Sequence, residues 1–397
     1  MADVTIDFEA ATIEIDNVAT EITVETGFPS TTNIMRKTVY DPSGVAEAIL
    51  NPVTKTSAYT VVATDNDRVI ECTNGPWTLS LTAAATLGDG FAVTVHNHGT
   101  TRGVYIDPNG SETVDGATGI WLYPGQTCHL HCDGSNWITD GLNRRKLIGN
   151  ETIYVDPSNG ASTNDGLAAG SGGALATMQQ AWNLGVLFDL NGYVLTIQLA
   201  DDTYTDGLIA NRHMHGGTVV VNGNSGTPSN VVVSTTSANA IQATAGVKLT
   251  VQNFQVETTT AGSGLISDSS SEIDVGAGMI FGACATAHMV AQNYGLIVIS
   301  NAYSITGVAA YHFYATGGTI SFSGLSNTAS GTLAFTVFAV ATTIGSILGP
   351  SSTWTGGTLT GARYACQLNG VINTQGGGAS YFPGDSSGST ATGGQYA

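Results

Sequence analysis

The feature that most constrains the fold of this chain is an apolar pattern that returns about every 24 residues through its C-terminal half. Each copy alternates β-branched residues with Gly, Ser, Thr and Asn, which indicates strands and turns. One apolar position repeats as Leu249, Ile273, Ile297, Ile320, Ile344 and Ile372. Repeats of this length indicate stacked units. The pattern therefore predicts a parallel β-helix in which these residues form one continuous interior file, with coils roughly 4.8 Å apart.

The rest of the chain divides into further segments. Residues 1–39 alternate apolar residues with seven acids and predict an arm that attaches to another protein, or alternatively a frayed, solvated terminus. Residues 40–146 hold short strand candidates between regular turns and predict a small β-sandwich or barrel that ends in a linker. Residues 147–380 are the predicted β-helix, and residues 381–397 a polar tail or clasp. The expected fold class is all-β.

One short amphipathic helix is expected at the start of the β-helix. Its apolar positions are Leu175, Met178, Ala181 and Trp182, whose spacing places them on one face. A solenoid needs its open end covered, because the unpaired strand edges of the first coil would otherwise be exposed. The helix is therefore predicted to cap the first coil.

Composition excludes several classes of partner. Lys and Arg number 11 against 30 acids in 397 residues, so nucleic acid and anionic membrane are poor partners. Residues 275–384 contain a single charged side chain, Arg363. Such a neutral surface suits glycans or burial between identical subunits, or it is simply a solenoid exterior built from Thr and Ser. We find no signal peptide and no transmembrane run, and five scattered cysteines favour folding in a reducing cytoplasm.

Several stretches resemble bacteriophage tail-fibre and spike proteins. Residues 81–137 resemble a module common in these proteins, and residues 39–49 resemble the short segment that precedes it. Residues 153–167 resemble the opening of phage pectate-lyase-like, right-handed β-helices, and the closing TATGGQYA resembles the ends of such fibres. The head spikes of gene transfer agents are similar, so tail or head placement stays open. The resemblance implies a homotrimeric virion protein with an N-terminal attachment end and a receptor-binding β-helical body.

Relatives of this fold often cleave polysaccharides, which requires two carboxyl groups about 5–5.5 Å apart for retention or about 6.5–9.5 Å apart for inversion. No acids stack on adjacent coils, because Lys248 lies one repeat before Glu272 and Thr250 lies one repeat before Asp274. Glu272 and Asp274 themselves flank the inward Ile273 and form the candidate catalytic pair. Alternatively, they are solvated acids, with Glu272 paired to Lys248. We expect binding without catalysis, with hydrolysis or β-elimination as the alternative.

Glycan binding requires aromatic faces for sugar C–H groups and polar side chains for hydroxyl groups. His288 and His312 are one repeat apart, so we expect them on adjacent coils with both side chains pointing outward. Alternatively, about half of the aromatic residues in these coils lie in the core or at a subunit interface. The candidate glycan-binding residues are His288, Tyr294, Tyr303, Tyr311, His312, Tyr314 and Trp354.

Four histidines of the middle module raise the question of a metal. Strand alternation in FAVTVHNH and TCHLHC puts Cys128, Leu130 and Cys132 on a buried face. The histidines His96, His98, His129 and His131 then lie on the opposite face. If the two strands are neighbours, four imidazoles would converge and suit zinc or nickel; otherwise they are scattered surface residues. We expect no metal and no other cofactor.

Together these patterns predict a homotrimeric spike or fibre subunit of a virion, made in the host cytoplasm. Residues 1–39 would attach it to the tail or head, and the β-helix would bind host surface polysaccharide during adsorption, with avidity supplied by three chains. The alternatives are a polysaccharide depolymerase and a passive structural or decoration protein. Neither nucleic acid binding nor membrane insertion is expected.

Overall fold

A computed structural model describes residues 39–40, 46–47 and 52–397. Residues 1–51 and residues 52–397 are two separate units. In the first unit, Val39–Tyr40 and Ala46–Glu47 pair as antiparallel strands. The predicted arm, residues 1–39, otherwise falls outside the described residues, so its role stays a prediction.

Residues 52–139 form a two-sheet module around one apolar core, which we call the neck. Sheet N1 contains, in spatial order, the strands Trp137–Thr139, Thr127–Cys132, Ala92–Asn97, Arg68–Cys72 and Pro52–Lys55. Sheet N2 contains Tyr59–Val61, Trp77–Leu81, Val104–Asp107 and Ile120–Leu122. Short helices lie at Ala63–Asp65 (a 3₁₀ turn) and Ala84–Leu87.

The neck agrees in part with the predicted sandwich. Two sheets enclose a shared core, with Ile70, Val93 and Leu130 from N1 facing Leu79 and Ile106 from N2. The first three strands of each sheet in chain order, however, pair in parallel. The neck therefore starts as three short stacked coils, and only the later strands add antiparallel hairpins.

Residues 151–397 form a parallel β-solenoid with three strand faces. Face 1 contains ten strands in the described chain: Glu151–Val155, Val194–Leu199, Thr218–Asn222, Lys248–Gln252, Glu272–Val275, Leu296–Ile299, Thr319–Phe322, Ser346–Leu348, Val371–Asn373 and Gln395–Tyr396. Parallel crossovers of this kind are nearly always right-handed. The architecture is therefore consistent with the predicted right-handed β-helix.

Faces 2 and 3 belong to one sheet. Face 2 contains Thr203–Tyr204, Val232–Ser237, Gln255–Ala261, Ile280–Phe281 and Ser304–Ile305. Face 3 contains Leu208–Ala210, Ile241–Ala243, Leu265–Ser267, Ala287–Gln292, Tyr311–Thr316 and, at its end, Ser389–Thr390. The long strands Ser326–Thr342 and Thr353–Cys366 run across both faces and join them. A 3₁₀ turn lies at Pro228–Asn230.

The predicted interior file is confirmed over four coils. Leu249 pairs in register with Ile273, Ile273 with Ile297, and Ile297 with Ile320. All four side chains are buried, as is Ile372 further along the chain. Each of these aliphatic side chains packs against its counterparts on the two neighbouring coils, at the inter-strand spacing. The apolar area buried in these contacts stabilises the solenoid.

The prediction for Ile344 is wrong. Ile320 pairs instead with Ile347, which pairs in turn with Ile372. The Ile344 side chain is 63% exposed at a turn with φ of 58°, a backbone conformation that a β-branched residue rarely adopts. The coil is longer here than the regular repeat, so a count by that repeat stops at Ile344, short of the interior position.

Both ends of the solenoid are closed by residues of the chain. At the N-terminal end the helix Met178–Gly185 packs Met178, Ala181 and Trp182 into the core, and a reciprocal capping box between Thr177 and Gln180 fixes its start. At the other end, residues 381–397 were predicted as a polar tail or a terminal clasp. They add the last strands to faces 3 and 1, and bury one aromatic ring, that of Phe382. No helix in the described ranges is long and apolar enough to cross a membrane.

A buried ion pair joins the neck to the start of the solenoid. Arg102 donates from Nε and Nη2 to the Asp165 carboxylate at 2.8 and 2.9 Å. The backbone N–H groups of Gly103 and Leu167 donate to the same carboxylate, which has no solvent exposure. Parallel pairing of Arg145–Lys146, within the linker, with Phe188–Asp189 of the solenoid adds a second connection.

Candidate functional site

A concave groove of about 740 Å³ runs along the corner between faces 2 and 3. Four successive coils line it, so it extends over roughly 14 Å at the usual strand spacing. Its lining is mostly small or hydroxylated, with one phenylalanine, whose ring is buried, and one glutamate. The lining residues are Glu257, Thr258, Thr259, Ala283, Cys284, Ala285, Val308, Ala309, Ala310, Ala334, Phe335 and Thr336.

Two of the predicted glycan-binding tyrosines lie on the face 3 strand that begins beside this groove, although neither of them lines it. Tyr311 directly follows Ala310, a lining residue, and its ring stacks on that of Tyr314 with centroids 5.1 Å apart. Both rings are partly exposed on the outer surface of face 3, where they pack on Ile266 and Val290. The pair therefore offers a fixed aromatic surface beside the groove, which suits stacking on a sugar ring.

Tyr294 is separate from this arrangement. It lies at the corner between faces 3 and 1, is 77% exposed, and has φ of 65°. Its backbone N–H donates to the Gly317 carbonyl oxygen. Tyr294 therefore belongs to a different edge of the column from Tyr311 and Tyr314.

The predicted outward position of His288 and His312 is wrong. Both imidazoles are fully buried inside the solenoid, as is the Tyr303 ring, and Trp354 packs against the same core. Simple alternation fails here because His288 and the next residue, Met289, are both interior at the point where the chain leaves the corner. His288, His312 and Tyr303 therefore cannot contact a glycan on the outer surface, whereas Trp354 is half-buried and directs its indole N–H to the buried Tyr303 hydroxyl.

The three buried side chains and the half-buried Trp354 are linked by consecutive hydrogen bonds. Trp354 Nε1 donates to the Tyr303 hydroxyl (2.9 Å), which donates to His312 Nε2 (2.7 Å). His312 Nδ1 donates to His288 Nδ1 (2.8 Å), and His288 Nε2 donates to the Gly282 carbonyl (2.9 Å). This direction follows because an indole only donates and a carbonyl only accepts, so each neutral imidazole has one possible tautomer.

Burial keeps both imidazoles of this chain neutral. It lowers the pKa of His288 to about 3, although the hydrogen bond to Gly282 opposes the shift. Burial, followed by the proximity of His288, holds the pKa of His312 well below its usual value of 6.5. Burial also raises the pKa of the Tyr303 hydroxyl. Phenylalanine rings surround these hydrogen-bonded side chains; the centroid of the Phe338 ring lies 4.7 Å from that of His312. The hydrogen-bonded set therefore has a structural role.

The candidate catalytic acids lie on face 1, on a different side of the column from the groove. Lys248 Nζ lies 2.7 Å from Glu272 Oε1, so the predicted ion pair between adjacent coils is confirmed. Asp274 accepts a hydrogen bond from the Ser300 hydroxyl. Both carboxylates are thus engaged by neighbouring coils, and neither of them lines the groove.

The neck histidines do not converge on one point. Strand Thr127–Cys132 does pair with Ala92–Asn97, but His129 lies opposite Thr94. His129 and His131 instead gather around Asp140, while His96 and His98 gather around Glu71. As predicted, Cys128 and Cys132 are buried on the opposite face of the strand.

In the Asp140 group, the hydrogen bond from His129 is the main cause that lowers the pKa of the carboxyl group. His129 Nδ1 lies 3.0 Å from Asp140 Oδ2, and His131 Nε2 lies 3.2 Å from Oδ1. Sequence reasoning identified the four histidines but not their carboxylate partners, because the partners are set by strand order.

Glu257 and the rest of the groove lining were also missed from sequence. Glu257 lies at the groove edge and accepts a hydrogen bond from Gln255 Nε2. The groove itself depends on differences in coil length that the repeat does not show. Comparison of the chain with protein-family models, with curated proteins and with solved structures finds no match.

Proposed function

We propose that this chain is a subunit of a virion spike or fibre that binds host surface polysaccharide. The observation that carries the proposal is the solenoid groove between faces 2 and 3, together with the stacked Tyr311 and Tyr314 on the adjoining strand of face 3. The resemblance of residues 39–49, 81–137 and 153–167 to phage fibres and spikes supports the virion setting.

The chemistry of the groove suits a neutral sugar chain. Hydroxyl groups of Thr259 and Thr336 and backbone groups of the alanine-rich turns can meet sugar hydroxyls, and the tyrosine pair can meet C–H faces. The lining, as the described residues form it, contains no Lys or Arg, which argues against an anionic ligand. Among the described residues that line the groove, Glu257 carries the single carboxylate, whereas glycoside hydrolysis ordinarily needs two. Binding without cleavage is therefore the favoured activity.

We further propose that the chain acts as a homotrimer. Large aliphatic side chains are exposed on the last coils, at the corner between faces 3 and 1 and on face 1 itself: Ile344, Leu348, Leu368 and Val371. Ile344 and Leu368 are on adjacent coils, since the Ile344 N–H donates to the Leu368 carbonyl. Clustered apolar exposure of this kind is typical of interaction surfaces. A neighbouring subunit would cover it and leave the groove open.

The binding test uses the full-length protein and a matched pair of variants. Immobilised capsular polysaccharide and lipopolysaccharide from a candidate host strain are incubated with wild type, Tyr311→Ala/Tyr314→Ala and Tyr294→Ala. We expect retention of wild type and of Tyr294→Ala, and loss of retention for the double variant. Equal retention of all three proteins would refute the groove as the binding site.

The same incubation distinguishes the alternatives. Release of shortened polysaccharide, abolished in Glu257→Gln, would establish a depolymerase in place of a binding protein. Complete lack of retention on the polysaccharides of a strain to which the particle adsorbs would favour a passive structural role. Light scattering of wild type and of Ile344→Asp/Leu368→Asp tests the trimer, which we expect to dissociate in the variant.

A further inference from the structure

Two histidines and one aspartate meet on the outer surface of neck sheet N1. His129 and His131 are two residues apart on the strand Thr127–Cys132, so their side chains point to the same side of the sheet. Asp140 directly follows the neighbouring strand Trp137–Thr139, in which Thr139 pairs with Leu130. The carboxylate is thereby brought over both imidazoles.

The spacing of the three side chains matches that of metal ligands. Each histidine offers a ring nitrogen to a different oxygen of Asp140, at 3.0 and 3.2 Å. Two donor atoms bound to one tetrahedral Zn²⁺ at roughly 2.0–2.1 Å lie about 3.3 Å from each other. The imidazole rings are 4.2 Å apart by centroids and nearly perpendicular, so the two nitrogens approach the carboxylate without the rings overlapping.

The donor set also selects the kind of ion. Two imidazole nitrogens and one carboxylate oxygen suit zinc and the neighbouring divalent transition metals, and not calcium or magnesium, which prefer oxygen alone. Thiolates do not compete, because strand alternation directs Cys128 and Cys132 into the core. The three side chains keep partial solvent exposure, with 39%, 41% and 67% for His129, His131 and Asp140, so an ion has a path to the site.

We propose that His129, His131 and Asp140 bind one divalent transition-metal ion, Zn²⁺ in the first instance, with water at the remaining position. The ion would tie Asp140, the first residue after the last strand of the neck, to the middle of sheet N1. Because the linker to the solenoid begins at this residue, metal binding would fix the start of the linker and raise the stability of the neck.

A second group of the same composition gives the matched control. Ligand atoms of Glu71, His96 and His98 also lie within 4.8 Å of one another on the same sheet. Strand pairing sets His96 beside Glu71 on one side and Thr127 on the other, away from Asp140. Substitution of these two histidines removes an equal number of imidazoles from the neck without touching the proposed site.

The experiment titrates the full-length, untagged protein with ZnCl₂ by calorimetry and with CoCl₂ by visible absorption. Wild type is compared with His129→Gln/His131→Gln, with Asp140→Asn, and with the control His96→Gln/His98→Gln. We expect the first double variant to lose one bound ion per chain and the Zn²⁺-induced rise in melting temperature. Asp140→Asn should bind more weakly, and the control should keep the ion at this site.

The outcomes are decisive in either direction. If wild type holds two ions and each double variant loses one, the proposal stands and the Glu71 group is a second site. If wild type binds no ion, or if His129→Gln/His131→Gln keeps the wild-type stoichiometry, the proposal is overturned. Circular dichroism of the metal-free proteins establishes that each variant is folded; should the double variant unfold, Asp140→Asn, altered at an exposed position, decides.

Discussion

The buried pair His288 and His312 makes the stability of the solenoid depend on pH in a calculable way. In the folded chain both imidazoles stay neutral, with the pKa of His288 at about 3. In the unfolded chain each titrates near 6.5. Between these values the unfolded state binds more protons than the folded state, so stability is fully present above pH 6.5 and is lost as the pH falls.

The size of the effect follows from proton linkage. Because each buried imidazole stays neutral in the folded state and is protonated in the unfolded state, it lowers the free energy of unfolding by up to about 1.4 kcal/mol for each pH unit below about 6.5. Over the interval from about pH 6.5 to about pH 5, where most carboxylates remain ionised, the two together should remove about 3 kcal/mol. The carboxylates contribute little in this interval, so the imidazoles should dominate the slope.

The assay is urea unfolding at these two pH values, followed by tryptophan fluorescence. His288→Leu/His312→Leu should be less stable than wild type at both values, because the Tyr303 hydroxyl and the Gly282 carbonyl lose partners at about 1–3 kcal/mol each. Its stability should nevertheless change less with pH than that of wild type. Tyr303→Phe keeps both imidazoles and should retain the wild-type slope. Equal slopes for wild type and the double leucine variant would refute the reasoning.

Three other measurements test what burial does elsewhere in the chain. Asp165→Asn should cost about 3–5 kcal/mol, because the Arg102 guanidinium is left without its countercharge; a loss below about 1 kcal/mol in urea unfolding would contradict this. Ile297→Ala should lower the free energy of unfolding by about 2–5 kcal/mol, because it opens a cavity in the interior file. The same change at Ile209, which is 50% exposed, should alter it by no more than about 0.5 kcal/mol. Similar losses at both positions would count against the interior file. The five cysteine thiols are buried, and burial raises the pKa of Cys72 to about 12. They should therefore react slowly with a thiol reagent until the chain is unfolded, and rapid labelling of the native protein would contradict this.

Sequence periodicity predicted the solenoid because interior positions in stacked coils obey a simple rule. A side chain such as Ile273 must lie above Leu249 and below Ile297, so apolar character repeats at the coil length. The rule holds where the coil length is constant. It failed at Ile344 because an insertion changes the count without changing the composition of the segment, and both Ile344 and Ile347 are apolar.

The rule that buried and exposed side chains alternate along a strand was also correct in one part of the chain and wrong in another. It was correct for the neck, where Cys128 and Cys132 are buried and His129 and His131 are on the surface. It was wrong for His288, because residues beside a solenoid corner do not follow the strict two-residue period. The sequence near His288 does not mark it as interior, since its side-chain partner His312 lies on the next coil and its other partner is a main-chain carbonyl, that of Gly282.

One end of the groove is formed by a coil that contains an insertion, and this insertion accounts for two of the three extra residues between Ile320 and Ile347. Ile305 pairs with Ala329 at the regular repeat, but beyond the corner Tyr311 pairs with Val337, which lies two positions further along than the repeat would place its partner. Two extra residues therefore enter between faces 2 and 3, in the segment that contains the lining residue Phe335. The wider coil forms a step against its narrower neighbours, and a step on a regular column is a concave surface.

A groove made in this way differs from one made by a mobile loop. The extra residues belong to the continuous strand Ser326–Thr342, which is hydrogen-bonded to Thr353–Cys366 on its other side. Residues 332–334 pair with residues 358–360 of that strand, between two register shifts, so this part of the wall is held by main-chain pairing and should lose little conformational entropy when a ligand binds. On a repetitive scaffold, departures from the repeat are thus the positions where a specific ligand surface can form. Tyr311, at the start of its face 3 strand, pairs with Val337, the first paired residue after such a departure.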